Sequence, residues 1–76
     1  MENLRVIFNG QEYEIIQSIE LKDDCEDNYI VAIYKVIDGE IDYRANYKEC
    51  YFNLSDATKR YNYIIDNIME FKEWLQ

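Results

Sequence analysis

The side chains of this chain that could do chemistry are carboxylates and phenols: its 76 residues include sixteen aspartates and glutamates, eight tyrosines and no histidine. Nucleophilic catalysis by serine or cysteine needs an adjacent base, which near neutral pH is usually histidine. Two carboxylates can serve as general acid and base. However, sixteen carboxylates on a chain this short form close pairs by chance, so a close pair alone does not indicate catalysis. We therefore interpret them as a solvated acidic surface and predict that the chain is not an enzyme and has no catalytic residues.

A metal or phosphate site would need donor patterns that the chain lacks. Zinc sites use clusters of cysteine or histidine, whereas only Cys25 and Cys50 are present. The segment 23–28 is rich in oxygen ligands but lacks the D-x-[DN]-x-[DN]-G spacing of a calcium loop. No glycine-rich phosphate-binding motif occurs. We therefore expect no metal and no cofactor, and two reduced thiols rather than a disulfide.

The net charge of −8 at pH 7 narrows the range of partners. It repels nucleic acid and anionic membranes, and it favours a protein with a basic surface or a nucleic-acid-binding groove. Carboxylates on one face of a strand recur about every 6.6 Å, so an acidic strand can imitate a phosphate backbone. Small acidic inhibitors that phages encode against restriction or CRISPR nucleases act in this way, and the chain is similar to them in size and acidity only. We expect a non-catalytic protein-binding module, with a phage- or mobile-element-encoded inhibitor of this kind as its most specific form.

Two groups of residues are predicted to contact the partner. The first consists of carboxylates in the loop and on a neighbouring strand, and the second of one apolar strand residue and two aromatic residues. Tyrosine and tryptophan are frequent in binding hot spots, although packing at the edge of the core is the alternative interpretation here. The loop residues are Asp23, Asp24, Glu26 and Asp27, the strand residues are Glu12, Glu14 and Glu20, and the others are Ile33, Tyr63 and Trp74.

The elements that must position these residues begin with two β-hairpins. Asn9-Gly10 and Asp38-Gly39 each lie between two apolar stretches rich in strand-forming residues. These dipeptides supply the two positive-φ residues of a type I′ turn, which closes a two-residue hairpin.

A two-residue turn also fixes the register of each hairpin. The predicted pairs are Val6–Tyr13, Leu4–Ile15 and Arg5–Glu14 in the first hairpin, and Val36–Ile41, Tyr34–Tyr43, Ala32–Ala45, Ile30–Tyr47 and Lys35–Asp42 in the second. The tyrosines among them, with Tyr61 of the C-terminal segment, are expected to face the core. Continued outward, the second register puts Asp27 opposite Cys50 and leaves Cys25 slightly too far away for a disulfide.

The C-terminal segment predicts a helix. Ser55 is the expected N-cap, and Asp56 in the first turn suits the helix dipole. Apolar residues then recur at spacings of four and three: Ala57, Tyr61, Ile64, Ile68, Phe71 and Leu75. We therefore predict an α+β fold (ββββα): a four-stranded antiparallel meander of two type I′ hairpins with one C-terminal helix packed on one face. Residues 1–76 would form a single small domain.

One helix covers only one face of such a sheet, so the second face is predicted to be half apolar and rimmed by acids. Ile33 would lie there with Val31, Ile37, Ile7 and Ile16. Strand propensity alone explains such residues in one interpretation. In the other, a partner covers them. The alternative function is therefore a small structural or regulatory protein that forms a homodimer through this face or through an edge strand.

The predicted location is the cytoplasm. The N-terminal residues lack a basic stretch followed by an apolar one, and no apolar run approaches the about 20 residues of a membrane span. The preference for Ile, Asn, Tyr, Lys and Asp, which have AT-rich codons, favours a low-GC bacterium or a cell infected by its phage.

Overall fold

The computed structural model describes residues 3–20 and 28–75. Its strands are β1 (Asn3–Phe8), β2 (Gln11–Glu20), β3 (Asn28–Ile37) and β4 (Glu40–Tyr51), and they are followed by the helix α1 (Leu54–Asp66) and a 3-10 helix (Ile68–Trp74). The strands form one antiparallel sheet in the order β1-β2-β3-β4, and α1 packs on one of its faces. The predicted α+β meander is confirmed.

Both hairpin turns have the predicted backbone conformation. Asn9 and Gly10 have φ values of 50° and 79°, and Asp38 and Gly39 have φ values of 53° and 82°. Positive φ at both central residues defines the type I′ turn. Because Glu12 pairs with Val36, the two turns lie at the same end of the sheet.

The register of the first hairpin is confirmed in every pair, whereas that of the second holds only near its turn. Lys35 faces Asp42 as predicted, but the next recorded pair joins Ile33 to Tyr47. Between these two pairs β3 advances by two residues and β4 by five, so β4 has a bulge at residues 43–46. The predicted pairs Ala32–Ala45 and Ile30–Tyr47 are therefore wrong, and so is the placement of Asp27 opposite Cys50.

Local contacts explain why the bulge forms there. The guanidinium of Arg44 donates to both carboxylate oxygens of Asp42, at 3.1 and 2.8 Å, and the Arg44 backbone N–H also donates to Asp42. Farther along the bulge, the Asn46 side chain donates to the backbone oxygen of Trp74 at 2.7 Å. Polar side chains thus stabilise the bulge, and Tyr43 is 77% exposed instead of facing the core as predicted.

The bulge moves Tyr47 to the face of the sheet that carries Ile33, because an offset by an odd number of residues exchanges the faces. Ile33 is fully buried beneath the helices, in one core with Tyr13, Ile15 and Ile64. The prediction that Ile33 lies on the exposed second face is therefore wrong.

The second face is also less open than predicted. Its β3 residues are all buried, although none belongs to the core under the helices: Ile30, Ala32, Tyr34 and Val36. Ile7 of β1 remains exposed on this face, where it pairs with Glu12. A homodimer that buries this face therefore has a much smaller apolar area to use than the sequence suggested.

The helix α1 begins two residues earlier than predicted. Its N-cap is Asn53, which has an extended backbone and whose side-chain oxygen accepts the Asp56 N–H at 2.8 Å. The Asn53 side-chain amide donates in return to the Asp56 carboxylate at 3.1 Å. Ser55 thus lies inside the first turn, and its prediction as the N-cap is wrong.

The apolar stripe is confirmed, but it runs along two helices. The backbone and side-chain N–H groups of Asn67 both donate to the Tyr63 carbonyl, at 2.9 and 3.0 Å, and the α-helix ends there. The 3-10 helix that follows has three residues per turn. Ile68 and Phe71 are three residues apart, so they lie on the same side of it and continue the stripe. Among the described residues, no helix is long and apolar enough to cross a membrane.

Candidate functional site around Arg60

Four aromatic rings meet where β4, α1 and the 3-10 helix come together. Tyr47 of β4 contacts Phe71 and Trp74 edge to face, each with ring centroids 5.6 Å apart. Tyr63 of α1 meets the other side of this group, 6.1 Å from Phe71. We call Tyr47, Tyr63, Phe71 and Trp74 the aromatic cluster. It connects two partly exposed residues, Tyr63 and Trp74, through a buried centre.

Arg60 lies within the aromatic cluster. Its guanidinium carbon is 5.2 Å from the ring centroid of Phe71, 5.3 Å from that of Tyr63 and 6.0 Å from that of Tyr47. Two of its nitrogens donate to the Tyr47 hydroxyl at 3.2 and 3.0 Å. Cation–π attraction and these hydrogen bonds together hold the charge in a defined position.

Glu49 accompanies Arg60 and helps to fix the local charge. Its carboxylate lies 3.6 Å from Arg60 Nε and also accepts a hydrogen bond from the Tyr51 hydroxyl. Burial alone would raise the pKa of Glu49, but hydrogen bonds from Tyr47 and Tyr51 and the charge of Arg60 lower it below its usual value. Glu49 is therefore ionised at neutral pH and neutralises much of the charge of Arg60.

A shallow cleft of about 390 Å³ opens beside the aromatic cluster, between β4 and α1. It is lined by Tyr51, Asp56, Lys59, Arg60 and Tyr63. Asp56 and Tyr63 each lie three and four residues from the neighbouring pair Lys59 and Arg60, so the four helical residues lie on one side of α1. We refer to these five residues as the cleft.

One carboxylate contacts an exposed end of the aromatic cluster, and two more lie close to the exposed ends along the chain. Tyr63 is 42% exposed, and its hydroxyl donates to Glu70 at 2.7 Å. Trp74 is 40% exposed and follows Glu73, which lies one 3-10 turn after Glu70. Asp66, one turn beyond Tyr63, is also exposed. We call Tyr63, Asp66, Glu70, Glu73 and Trp74 the C-terminal surface.

Of the residues predicted to bind a partner, Tyr63 and Trp74 belong to one aromatic cluster, at its two ends, and Glu12 and Glu14 lie beside one guanidinium. Glu14 is 5% exposed and accepts a hydrogen bond from Arg5 Nε at 2.7 Å, so it is not part of an open row of carboxylates. Glu12 lies 3.9 Å from the same guanidinium. The strand therefore presents two carboxylates that share one guanidinium.

The other predicted acids are not placed by the structure. The loop residues Asp23, Asp24, Glu26 and Asp27 lie outside the described residues, as does Cys25. Glu20 belongs to β2, but its side chain is not described. Cys50 is exposed, with a free thiol. Among residues 3–20 and 28–75, no three acidic or cysteine side chains are grouped in a way that could hold a metal ion.

Sequence reasoning missed Arg60 as the centre of the site. Its neighbours come from three elements, and Tyr47 reaches it only because of the bulge in β4. The sequence of α1 did contain a pattern that could have indicated this site. One side of the helix carries an acidic residue, two basic residues and an aromatic ring: Asp56, Lys59, Arg60 and Tyr63. Comparison with protein-family models, with curated proteins and with solved structures finds no match to this chain.

Proposed function

We propose that this chain is a non-catalytic protein-binding module that docks through its C-terminal surface. The observation that carries the proposal is the exposure of Tyr63 and Trp74 at the two ends of one aromatic cluster, with Glu70 bonded to Tyr63 and with Asp66 and Glu73 exposed on the same two helices. Aromatic side chains that the fold already orders lose little conformational entropy on binding, which is why they are frequent hot spots.

The charge of the surface favours a basic partner. Asp66, Glu70 and Glu73 are exposed, and the only basic side chain between residues 61 and 75 is that of Lys72. On a chain with a net charge of −8, this arrangement steers a positively charged protein toward the two aromatic anchors. In the most specific form of the proposal, the partner is a restriction or CRISPR nuclease, and the module is a phage-encoded inhibitor that occupies its nucleic-acid-binding groove.

The experiment is affinity capture from the source cell with matched variants of the immobilised chain. Trp74→Ala removes one anchor, and Tyr43→Ala removes a more exposed aromatic residue on the β4 bulge, which contacts Tyr34 and is not a member of the aromatic cluster. The double variant Glu70→Gln/Glu73→Gln tests the charge, and Asp38→Asn/Glu40→Gln at the second turn is its control. Circular dichroism verifies that every variant folds.

The proposal predicts at least one protein that the wild type and both controls retain, and that Trp74→Ala and the Glu70/Glu73 variant lose. Its retention falls as salt is raised, because the attraction between exposed charges is screened. Capture that is equal for Trp74→Ala and Tyr43→Ala, or that does not respond to salt, would contradict the proposal.

A further inference from the structure

The cleft is a second candidate binding site, separate from the exposed tryptophan and carboxylates of the C-terminal surface. Its volume of about 390 Å³ lies at the lower end of the about 300–1,000 Å³ typical of small-molecule sites. Because it is shallow, a ligand there keeps part of its surface in water. The chemistry of the lining, rather than deep enclosure, must then decide which ligand is favoured.

Two opposite charges in the cleft have no charged partner within the described part of the chain. Lys59 makes no hydrogen bond or ion pair there, and Asp56 uses one carboxylate oxygen to accept from Asn53 and leaves the other open. Arg60, by contrast, is already paired with Glu49. The cleft therefore offers one available ammonium group and one available carboxylate, three residues apart on the same side of α1.

The two rings of the cleft are held in fixed orientations. The Tyr51 hydroxyl donates to Glu49, and the Tyr63 hydroxyl donates to Glu70. Both rings therefore present fixed apolar surface to the cleft, against which a planar group can pack. A simple anion fits this lining poorly, because Asp56 and the net charge of −8 oppose it.

We propose that the cleft binds a ring-bearing zwitterion of the class of the aromatic α-amino acids. The ligand's carboxylate pairs with Lys59, its ammonium group pairs with Asp56, and its ring packs against Tyr51 and Tyr63. The ion pairs are exposed to solvent and individually weak, so the dissociation constant is expected to be about a millimolar. This site goes beyond the proposed protein-binding function and does not depend on it.

The test is a titration followed by two-dimensional ¹H–¹⁵N NMR with four ligands. L-Phenylalanine carries the ring and both charges, glycine lacks the ring, 3-phenylpropionate lacks the ammonium group and phenethylamine lacks the carboxylate. Lys59→Gln and Asp56→Asn each remove one charge of the cleft. Lys72→Gln and Asp66→Asn are the matched controls, because they remove the same charges outside it.

The proposal predicts saturable shifts of the residue 51, 56, 59, 60 and 63 amides with L-phenylalanine, and at least fivefold weaker binding of the other three ligands. Lys59→Gln and Asp56→Asn each weaken phenylalanine binding at least fivefold, whereas both controls leave it within twofold of the wild type. The spectra themselves show whether each variant is folded. Absence of saturable shifts in the wild type, equal binding of glycine, or equal binding by the cleft variants and their controls overturns the proposal.

Discussion

Asn53 and Ser55 show what single residues decide at the start of α1. Both are good N-cap residues, and both stand shortly before the apolar stripe, so the local sequence does not choose between them. The choice falls on Asn53 because its side chain accepts the Asp56 backbone N–H and also donates to the Asp56 carboxylate. This pair of hydrogen bonds resembles a capping box, in which residues three apart satisfy each other.

Replacing Asn53 with alanine should therefore destabilise the protein by about 1 kcal/mol, since one N–H of the first turn loses its acceptor. Ser55→Ala should change the free energy of unfolding by less than about 0.5 kcal/mol, as is usual for an exposed position without such a contact. Urea unfolding followed by circular dichroism measures both. A larger loss for Ser55→Ala than for Asn53→Ala would show that the helix begins later than the structure has it.

Among the strands and helices, β3 is the element whose two faces could least be told apart from the sequence. The turn chemistry and apolar pairing of β1 and β2 predicted their register correctly, because Arg5 and Glu14 alternate with apolar neighbours. From residue 30 to residue 34, however, β3 is apolar at every position, and all five residues are buried. A central strand buried on both sides has no alternation that could tell the faces apart. The bulge in β4 depends on contacts of Asp42 and Asn46, and turn rules give no information about them.

A pair of conservative substitutions on the same face of β3 tests whether Ile33 belongs to the buried core. Ile33→Val removes one methylene group from the fully buried core and should cost about 1 kcal/mol. Ile37→Val, on the same strand but 48% exposed, should cost less than about 0.5 kcal/mol. Chemical denaturation under identical conditions compares them. Equal small losses would contradict the assignment of Ile33 to the core.

For the whole molecule, the ion pair between Asp42 and Arg44 makes the free energy of unfolding depend on pH. Hydrogen bonds from the Arg44 side chain and backbone lower the pKa of Asp42 to about 2, from an ordinary value of 3.8. Between these values the unfolded chain binds more protons than the folded one, so the contribution of Asp42 is present above about pH 4 and is lost as the pH falls toward 2. The bulge that Arg44 and Asp42 stabilise should weaken over the same range.

The melting temperature of the wild type should therefore fall more steeply from pH 4 to pH 2 than that of Asp42→Asn. Asp66→Asn serves as the control, because it removes a carboxylate that has no ion-pair partner in the described part of the chain. Its slope should match that of the wild type. Parallel slopes for Asp42→Asn and the wild type would mean that the Asp42–Arg44 contact does not persist in solution.

In the whole molecule, Tyr63 and Trp74 both lie on the helical side of the sheet, whereas the residues predicted to bind a partner were distributed over the loop, two strands and the helix. Residue type alone made Tyr63 and Trp74 candidates for binding. Their connection through Tyr47, Phe71 and Arg60 was not predictable, because it depends on the bulge in β4 and on the end of α1 at Asn67.

Calorimetric titration of the purified partner against the wild type, Trp74→Ala and Tyr43→Ala tests whether the partner docks on the C-terminal surface. We expect a dissociation constant that is about tenfold or more higher for Trp74→Ala, equivalent to about 1.4 kcal/mol, and within about threefold of the wild type for Tyr43→Ala. Equal affinities for the two variants would show that the partner does not dock on the C-terminal surface.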